Sequence, residues 1–273
     1  MTPPDVSVVI VSHNHAQYLD ACLQSLAPER HVIVTEVFVV DNVSTDGAAE
    51  LVGRRYPWAR LLRNTRRLGF AANNNKAIRE SRGRYVLLLN PDTAVADGAL
   101  EALVWYMDTH PRVGLCGPRL VFPSGALQLS ARRFPTLGSV IARRSPLRMW
   151  LRNSESNKRH LMADVDHATC RPVDWLLGAA VLSRREMLRT VGLLDEGYFL
   201  YVEDIDWAYR AWQQGWQVVY YPDAQVMHHH LAESDRALWS RQSWQHVRSM
   251  WRYYRKHLAP RWLRLSVDAE RLP

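Results

Sequence analysis

The sequence has few cysteines and no long apolar run, and both absences narrow the class of protein. Its three cysteines, Cys22, Cys116 and Cys170, are widely separated and form no CxxC pair, which argues against a disulfide framework and against a thiolate metal site. The longest apolar stretches, such as residues 6–11, have the length of a strand and fall far short of the roughly 20 residues that a membrane-spanning helix needs. The sequence therefore predicts no transmembrane segment.

The first residues also lack the sequence features of a signal peptide. Residues 1–5 run directly into an apolar stretch with neither a basic region nor a cleavage site, so we see no signal peptide and expect a cytoplasmic protein. A chain of 273 residues, 47% of them hydrophobic, can bury the core of one α/β domain or of two small ones. These numbers exclude a disordered protein.

Acidic residues are outnumbered by basic ones, which gives a formal net charge of +8. The excess is concentrated in residues 132–159 and 236–264, and such tracts favour anionic partners: nucleic acid, a phosphorylated substrate or the anionic surface of a membrane. No helix-turn-helix, RRM or zinc-finger spacing appears. We therefore expect no nucleic-acid partner.

Apolar runs alternate with helical patterns through the first 110 residues. The strand-like runs are 6–11, 36–40, 60–62 and 85–89, and the helical segments are 18–26, 47–56, 71–81 and 98–109. This alternation predicts a mostly parallel, doubly wound α/β sheet. Ligands bind beyond the carboxyl ends of the strands in such sheets, and polar residues follow three of these runs. A functional site is therefore expected at that edge.

The alternation weakens beyond residue 110. The basic segment 143–160 has little periodicity, which predicts a mobile loop. Order is expected to resume at 173–182, followed by a helix at 184–191, a helix that starts at Glu203 and a strand at 218–221.

Two polar clusters of the first half suit a nucleotide. Asp41 ends a buried run and could accept hydrogen bonds from a base or a ribose, although Asp41 and Ser44 could also simply turn the chain while Asp46 caps a helix. The segment 64–75 places Arg66, Arg67 and Gly69 before a helix N-terminus, which suits a diphosphate. The alternative is an ordinary loop in which Asn73 to Asn75 are solvated.

Two further segments offer ligands for a divalent cation. Asp92 follows a buried run in Asn90-Pro91-Asp92, and its carboxylate is a ligand type that such cations take together with substrate phosphates. Of the three consecutive histidines 228–230, His228 has the position that favours metal ligation. The alternatives are a plain turn at Asp92 and a solvated histidine run.

Three acidic residues crowd the start of the helix at Glu203. Glu203, Asp204 and Asp206 repel one another, which raises their pKa values unless a cation compensates. One of them could interact favourably with the helix dipole, and Asp206 could form an i, i+4 ion pair with Arg210. For Asp204 we favour the role of a general base.

The last segment has an amphipathic helical pattern. Its apolar residues Trp244, Val247, Trp251, Tyr254 and Leu258 share one helical face, and its basic residues lie largely off that face. We expect either peripheral contact with anionic lipid or a lipid-diphosphate-linked glycan, or an aromatic face packed on the core with a solvated back.

Taken in order, VSVVIVSHN, VVDNVSTDG, NTRRLGFAANNN, LLLNPDT, VDWLLGAAVLSRREML and GLLDEGYFLYVEDIDWAYR resemble family 2 glycosyltransferases, particularly the bacterial rhamnosyltransferase-like branch, over residues 5–235. The resemblance implies a GT-A domain at 1–235, with a nucleotide-binding half at 1–110 and an acceptor-binding half at 111–235. A basic amphipathic helical segment would follow at 236–273.

The resemblance also assigns residues. It implies a nucleotide site of Ser12, His13, Asp41, Asn42, Arg66, Arg67, Gly69 and Asn90. Asp92, with His228, would bind Mg2+ or Mn2+. Asp204 falls where the family has its catalytic base, and the sugar and acceptor side would consist of Trp175, Gly178, Ala179, Glu203, Asp206 and Arg210.

This chain departs from the branch at two places. Asn90 replaces the first acid of the metal-binding signature, and His230 to Glu233 replace the glycines that usually follow the histidine pair. The resemblance implies inverting transfer of a sugar, most simply L-rhamnose from dTDP-L-rhamnose, to a hydroxyl of a glycan or lipid-linked glycan in cell-envelope polysaccharide synthesis. Transfer from a UDP-sugar and a non-catalytic nucleotide-sugar-binding module remain alternatives.

Overall fold

A computed structural model describes residues 3–136, 154–229 and 241–258 of the chain. Its strands are β1 (Val6–Ser12), β2 (Thr35–Asp41), β3 (Arg60–Arg63), β4 (Tyr85–Leu89), β5 (Thr93–Val95), β6 (Val113–Val121), β7 (Leu127–Gln128), β8 (Ala131–Arg132), β9 (Arg171–Pro172), β10 (Trp175–Leu176), β11 (Ala180–Arg184) and β12 (Gln217–His228). Its α-helices are α1 (Ala16–Ser25), α2 (Ala48–Arg55), α3 (Phe70–Glu80), α4 (Ala99–Thr109), α5 (Glu155–His160), α6 (Arg185–Val191), α7 (Glu203–Gln213) and α8 (Arg241–Tyr253), which continues as a π-helical turn, Tyr254–Leu258.

One twisted sheet organises the described residues. Its main path has the order β3-β2-β1-β4-β11-β6-β12-β5, with β7 added to β6 and β9 added to β12. Strands β1 to β4 are mutually parallel, and β6 and β12 are parallel to each other, whereas β11 is antiparallel to both β4 and β6. Only β11 and β5 therefore run against the other strands of the path. The predicted mostly parallel α/β sheet is confirmed.

Helices cover both faces of the sheet, which explains why its central strands are continuously apolar. In β1 the side chains alternate: Val8 and Ile10 pack in one core cluster, and Val9 packs in the other. Buried residues of α1, α2 and α4 belong to the first cluster, and those of α3, α6, α7 and α8 belong to the second. Cys22, on α1, is completely buried, as expected of a core residue.

The strands that the sequence pattern did not predict are β5 and β6 on the main path and the short β7, β8 and β9. The nine-residue β6 contains Gly114, Gly117 and Pro118, which weaken a strand pattern when the sequence is read alone. Space explains the glycines: a Cβ at Gly117 would lie 2.8 Å from a side-chain carbon of Leu176. Strand β12 also extends well beyond the predicted 218–221, through an irregularity between Tyr221 and Gln225.

The basic segment 143–160 was expected to be a mobile loop. Residues 137–153 lie outside the described part, but the end of the segment is helical, because residues 155–160 form α5. The hydroxyl group of Ser154 accepts a hydrogen bond from the Asn157 N–H, 3.3 Å away, as an N-cap. For this end of the segment the loop prediction is wrong.

Helix α8 packs with its charged side inward. Tyr253 is buried and Ser249 nearly so, while Arg252 and Lys256 reach Asp195, a nearly buried carboxylate. The apolar residues of the predicted face, which we call the aromatic stripe (Trp244, Val247, Trp251, Tyr254 and Leu258), are all exposed. The alternative of an aromatic face packed on the core is therefore wrong. No helix among the described residues is both long and apolar enough to cross a bilayer.

Candidate active site

Several of the predicted site residues lie along one edge of the sheet. Ser12 and Asp41 end the paired strands β1 and β2 and lie opposite each other, and the Asn90 N–H after β4 donates to the Ala179 carbonyl oxygen at the start of β11, 2.8 Å away. Neighbouring strands are about 4.8 Å apart, so Asp41 and Ala179, three strands apart, lie within roughly 15 Å of each other. The Gly178 N–H, in turn, donates to Asp204. The edge therefore joins both halves of the chain.

The ends of β1 and β2 form a polar pocket. Ser12 is buried, and its hydroxyl oxygen has no hydrogen-bond partner among the residues that the structure describes. Asp41 is nearly buried and accepts a hydrogen bond from the Ser44 N–H, 3.2 Å away. The ring Nδ1 of His13 lies 2.9 Å from the Asn42 carbonyl oxygen. An unpaired hydroxyl beside a buried carboxylate suits a ligand that carries both donors and acceptors, such as a nucleoside.

The alternative interpretation of this segment, a chain turn and a helix cap, is also confirmed. Asp41 does turn the chain through Ser44, and the Asp46 carboxylate accepts hydrogen bonds from the Ala48 and Ala16 N–H groups, at 3.1 and 2.7 Å. Each carboxylate therefore has a structural contact. The Ser44 contact orients Asp41 through its Oδ1.

Asn42 holds the loop that precedes α3. Its Oδ1 accepts from the Leu68 N–H at 2.9 Å and from Asn64 Nδ2 at 3.1 Å, and its Nδ2 donates to the Leu68 carbonyl oxygen at 3.0 Å. The amide is thus used on the protein side. Asn42 therefore fixes this loop against the end of β2.

The two arginines of this loop are exposed. Arg66 and Arg67 make no ion pair with any residue in the described ranges, so their guanidinium groups are available to an anion. The start of α3 is less open than the sequence suggested, because the Phe70 N–H already donates to the Phe199 carbonyl oxygen at 2.8 Å. Gly69 packs directly on Phe199: a Cβ at residue 69 would lie 2.7 Å from that oxygen. The glycine therefore permits a close backbone approach.

The three asparagines of α3 are buried, so the alternative in which they are solvated is wrong. Asn73 donates to the Leu68 and Gly69 carbonyl oxygens at 3.1 and 2.9 Å. Asn75 exchanges two hydrogen bonds with the Leu194 backbone, its Nδ2 donating at 2.8 Å and its Oδ1 accepting at 3.2 Å. Buried amides are normally paired. Asn73 thus ties α3 to the loop before it, and Asn75 ties α3 to the segment at Leu194.

Asp92 and His228 face each other although 136 positions separate them in the chain. His228 Nε2 lies 3.3 Å from Asp92 Oδ1, and both side chains are nearly buried. Burial alone would raise the pKa of Asp92, but the hydrogen bond and the charge of His228 hold it below its usual range. On its other side, His228 Nδ1 lies 2.8 Å from Gln128 Oε1. Because a carbonyl oxygen only accepts, Nδ1 carries a proton, whether or not Nε2 is also protonated.

This pair offers two side chains of types that can bind a divalent cation. No group of three or more His, Cys, Asp or Glu side chains within the described ranges could hold a metal. Mg2+ and Mn2+ often take one or two protein ligands and complete their coordination with substrate phosphates and water. One carboxylate and one imidazole with a fixed tautomer fit that pattern, and the imidazole favours Mn2+ over Mg2+. Asn90, at the position of the missing acid, offers no charge.

Asp204 lies at the first turn of α7 and faces the loop before β11. Its Oδ2 accepts from the Gly178 N–H at 3.2 Å, and its Oδ1 accepts from the Ile205 N–H at 2.9 Å. Burial raises the pKa of Asp204 to about 6, against the smaller opposite effect of these N–H groups. Asp204 as a whole is half-buried, and it lines a cavity. A carboxylate with these properties can take a proton near neutral pH.

Glu203, beside Asp204, is nearly buried, and its Oε2 has no hydrogen-bond partner among the described residues. Burial, reinforced by the charge of Asp204, raises the pKa of Glu203 to about 8. Both acids line a cavity whose other walls are mostly apolar, including Leu176, Trp207 and Phe70. An acid kept neutral in such a cavity can donate a hydrogen bond at pH 7.

Backbone strain accompanies the acid pair. Tyr201 and Val202, immediately before α7, have φ angles of 68° and 74°, and Asn14 and Val43, at the ends of β1 and β2, have φ angles of 60° and 63°. A positive φ at a β-branched residue such as valine is costly. Strain of this kind persists where the surrounding structure enforces it, often at functional sites.

Asp206 and Arg210 are not at the cavity. Asp206 is completely buried, and Arg210 Nε lies 2.8 Å from its Oδ2. The remaining guanidinium nitrogens of Arg210 donate to the Val191 and Leu193 carbonyl oxygens, both at 2.7 Å. Every charged atom is used internally, which favours the ion-pair alternative over contact with a sugar.

Of the three predicted wall residues Trp175, Gly178 and Ala179, Gly178 lines the cavity and contacts Asp204. Trp175 is nearly buried, and its Nε1 donates to the Arg133 carbonyl oxygen at 3.0 Å. Two residues absent from the sequence prediction lie nearby: Gln128, which contacts His228, and Arg132, whose charge favours the ionised form of Asp204. The sequence pattern does not predict either residue, because β7 and β8 contain only two residues each.

Known proteins identify the family and the fold of this chain. The model of the family Glycosyl transferase family 2 matches residues 7–170, and the chain belongs to that family: it is a glycosyltransferase with a GT-A fold. Its relatives include rhamnosyltransferases. The N-acetylglucosaminyl-diphospho-decaprenol L-rhamnosyltransferase of Mycobacterium tuberculosis is 34% identical over 246 residues, which cover 84% of this chain and 77% of the relative.

Two further proteins extend the comparison. The rhamnosyltransferase WbbL of Escherichia coli is 27% identical over 267 residues, 91% of this chain and 92% of the relative. The mannosyltransferase PcManGT from Pyrobaculum calidifontis, solved with GDP-Man and Mn2+, superposes with a TM-score of 0.60 at 20% identity, over 95% of this chain and 67% of that chain. This last likeness shows the fold.

Proposed function

We propose that this chain transfers L-rhamnose from dTDP-L-rhamnose to a hydroxyl group of a lipid-diphosphate-linked glycan, with inversion, in cell-envelope polysaccharide synthesis. The names of the relatives support the sugar, and the Mycobacterium tuberculosis name includes a diphospho-decaprenol carrier. The observation that carries the catalytic part is Asp204, a half-buried residue whose carboxylate is bonded to the Gly178 N–H and has a pKa of about 6.

Asp204 acts as the general base. The acceptor hydroxyl loses its proton to the Asp204 carboxylate while its oxygen forms a bond to the anomeric carbon and the bond from that carbon to the diphosphate oxygen breaks. One displacement inverts the anomeric centre. A positioned base of this kind contributes roughly 100- to 10,000-fold in rate.

The donor occupies the edge formed by β1, β2 and the loop before α3. Ser12, His13 and Asp41 contact the nucleoside, since the Ser12 hydroxyl and the Asp41 carboxylate are buried there. Arg66 and Arg67, which are exposed, stabilise the negative charge of the leaving diphosphate. Trp175, Gly178 and Ala179 bound the acceptor side.

Asp92 and His228 would hold a divalent cation, Mn2+ or Mg2+. Bound there together with the diphosphate, it would supply positive charge to the leaving group. Gln128 keeps the His228 ring in the tautomer that this role needs, through the contact at its Nδ1.

Asp204→Asn tests the base, with Asp223→Asn, an exposed site on β12, as the matched control. We expect the first variant to lower the transfer rate by roughly 100-fold or more with an unchanged Kd for dTDP-L-rhamnose in calorimetry, and the control to keep both. In the wild-type chain the rate should rise as the pH passes about 6. Turnover of Asp204→Asn at the wild-type rate would reject the role.

A donor panel tests the substrate. The wild-type chain is incubated with dTDP-L-rhamnose and with UDP-sugars, each with Mn2+, Mg2+ or a chelator, and product is followed by mass spectrometry. Preference for a UDP-sugar would replace the donor and leave the mechanism intact. The acceptor in each incubation is a polyprenyl-diphosphate glycan. If a donor binds but no donor yields product with this acceptor, the chain is instead a non-catalytic binding module.

A further inference from the structure

The aromatic stripe is an exposed apolar surface on one face of α8 and its π-helical turn. Its residues are spaced three or four positions apart, which places them on one side of a helix. Trp244 is 62% exposed, Val247 52%, Trp251 56%, Tyr254 40% and Leu258 52%. The rings of Trp251 and Tyr254 stack, with centroids 5.5 Å apart. The stripe is therefore long, apolar and already ordered.

The opposite side of α8 is fixed to the protein. Lys256 Nζ lies 2.8 Å from carboxylate oxygens of both Asp195 and Asp206. Arg252 also pairs with Asp195, and the Ser249 hydroxyl donates to the Leu200 carbonyl oxygen at 3.0 Å. The helix cannot roll to bury the stripe without breaking these contacts, which would leave Asp206 short of partners in the interior. The outward direction of the stripe is therefore built into the fold.

The charge around the stripe is positive. Residues 241–258 contain no Asp or Glu, and the exposed Arg248 makes no ion pair with any residue of the described ranges. A second copy of this chain on the stripe would bring two such arginines together across a two-fold axis, where like charges repel. An anionic lipid surface compensates the same charge, and the ring of a tryptophan or tyrosine is suited to the boundary between headgroups and acyl chains.

We propose that the aromatic stripe docks the enzyme on the surface of an anionic membrane, with its rings in the headgroup region and Arg248 on the lipid phosphates. The chain that contacts α8 leads towards the cavity at Glu203 and Asp204. Leu200 contacts α8 through Ser249, its neighbour Phe199 is 43% exposed, and the chain then leads through Val202 to Glu203 and Asp204. Docking thus brings the acid pair close to the bilayer. The benefit for a lipid-linked acceptor rests on the proposed function.

Vesicle binding tests the docking without any substrate. The full chain is mixed with vesicles of phosphatidylcholine and phosphatidylglycerol in a 7:3 ratio, or of phosphatidylcholine alone, and bound protein is separated by flotation. We expect binding to the anionic vesicles that weakens with salt, and a blue shift of the tryptophan fluorescence. Trp251→Gln should weaken partition about tenfold, and Arg248→Gln about fivefold.

The chain offers a matched control in Trp105, which is 61% exposed on α4, on the other face of the sheet from α8. Trp105→Gln should leave partition unchanged. Equal weakening by Trp105→Gln, or no binding to anionic vesicles at low salt, would overturn the proposal. A dimer in sedimentation analysis that becomes a monomer in the Trp251→Gln variant would also overturn the proposal, because the stripe would then join two copies of the chain. Loss of transfer with intact vesicle binding would count only against the proposed function.

Discussion

The Lys256 ammonium group lies 2.8 Å from a carboxylate oxygen of Asp206, a side chain that is completely buried. His257 Nε2 and Arg210 Nε contact the same carboxylate at 2.7 and 2.8 Å. Burial would raise the pKa of Asp206, but the charge of Arg210, the hydrogen bond with His257 and the charge of Lys256 outweigh it and hold the pKa well below its usual range. Since Asp206 is on α7, two residues after Asp204, the π-helical turn that continues α8 braces the turn that carries the proposed base.

Lys256→Met should destabilise the fold. Removing one partner from a buried ion network leaves a carboxylate with less compensation, which costs about 3 to 5 kcal/mol for a simple pair. Because Arg210 and His257 remain, we expect about 2 to 3 kcal/mol in urea unfolding. Arg248→Met, on the exposed side of the same helix, should change the free energy of unfolding by less than about 0.5 kcal/mol. Equal effects of both substitutions would contradict the bracing role.

The sequence predicted the first half of the fold well because its signals are local. A buried parallel strand is a continuous apolar run, and residues 85–89 form the strand that the pattern indicated, to the residue. The helix expected at Glu203 also begins there. In contrast, β6 was not predicted, since its Gly114, Gly117 and Pro118 serve packing that only the tertiary structure shows.

The candidate site divides in the same way. Asp41, Asp92 and Asp204 could be proposed because each follows or begins a recognisable element. The burial of Asn73 to Asn75 and the contact of Gln128 with His228 could not, because they depend on partners distant in the chain. The orientation of α8 was also beyond the pattern: amphipathicity defines two faces, and it does not say which one the core takes.

Gly69→Ala should disturb the site through a backbone collision. A Cβ at residue 69 would lie 2.7 Å from the Phe199 carbonyl oxygen and 2.8 Å from its Cα, and a backbone cannot yield as a flexible side chain does. We expect a loss of about 1 to 3 kcal/mol in the free energy of unfolding and a raised KM for the nucleotide sugar, because the loop with Arg66 and Arg67 must shift.

Gly53→Ala is the control for this change. Gly53 lies within α2, and its Cβ would meet nothing within 4 Å, so alanine should stabilise the helix by about 0.5 to 1 kcal/mol and leave KM unchanged. A Gly69→Ala variant with wild-type stability and KM would show that the approach of the two backbones is not required.

Glu203→Gln should stabilise the protein at neutral pH. The pKa of Glu203 is raised from 4.5 to about 8, so the folded state holds a proton that the unfolded state has released at pH 7. Stability is therefore lost as the pH rises from the ordinary pKa of the group to the raised one. Glutamine requires no proton, and we expect a gain of about 2 to 3 kcal/mol at pH 7 that disappears near pH 4.5.

The measurement is urea unfolding of both proteins between pH 4.5 and 8. Glu50→Gln supplies the opposite sign, because hydrogen bonds to its carboxylate lower the pKa of Glu50; being exposed, it should show only a small effect, lost as the pH falls. If Glu203→Gln is no more stable than the wild-type chain at pH 7, the acid is not held neutral. A stabilised variant with slower transfer would indicate that the protein retains the acid for function.

Gln128→Ala should weaken metal binding without touching the metal ligands. Gln128 Oε1 accepts a hydrogen bond from His228 Nδ1 over 2.8 Å, which fixes the ring so that Nε2 points at Asp92. Loss of such an outer contact typically costs 10- to 100-fold in metal affinity. We expect a change of about that size in the Kd of Mn2+, measured by electron paramagnetic resonance with nucleotide present, and a larger loss in His228→Ala. The control is Gln225→Ala, at an exposed position on the same strand β12 as His228, and it should bind Mn2+ as the wild-type chain does. If only His228→Ala weakens Mn2+ binding, and Gln128→Ala does not, then Gln128 does not orient the ring.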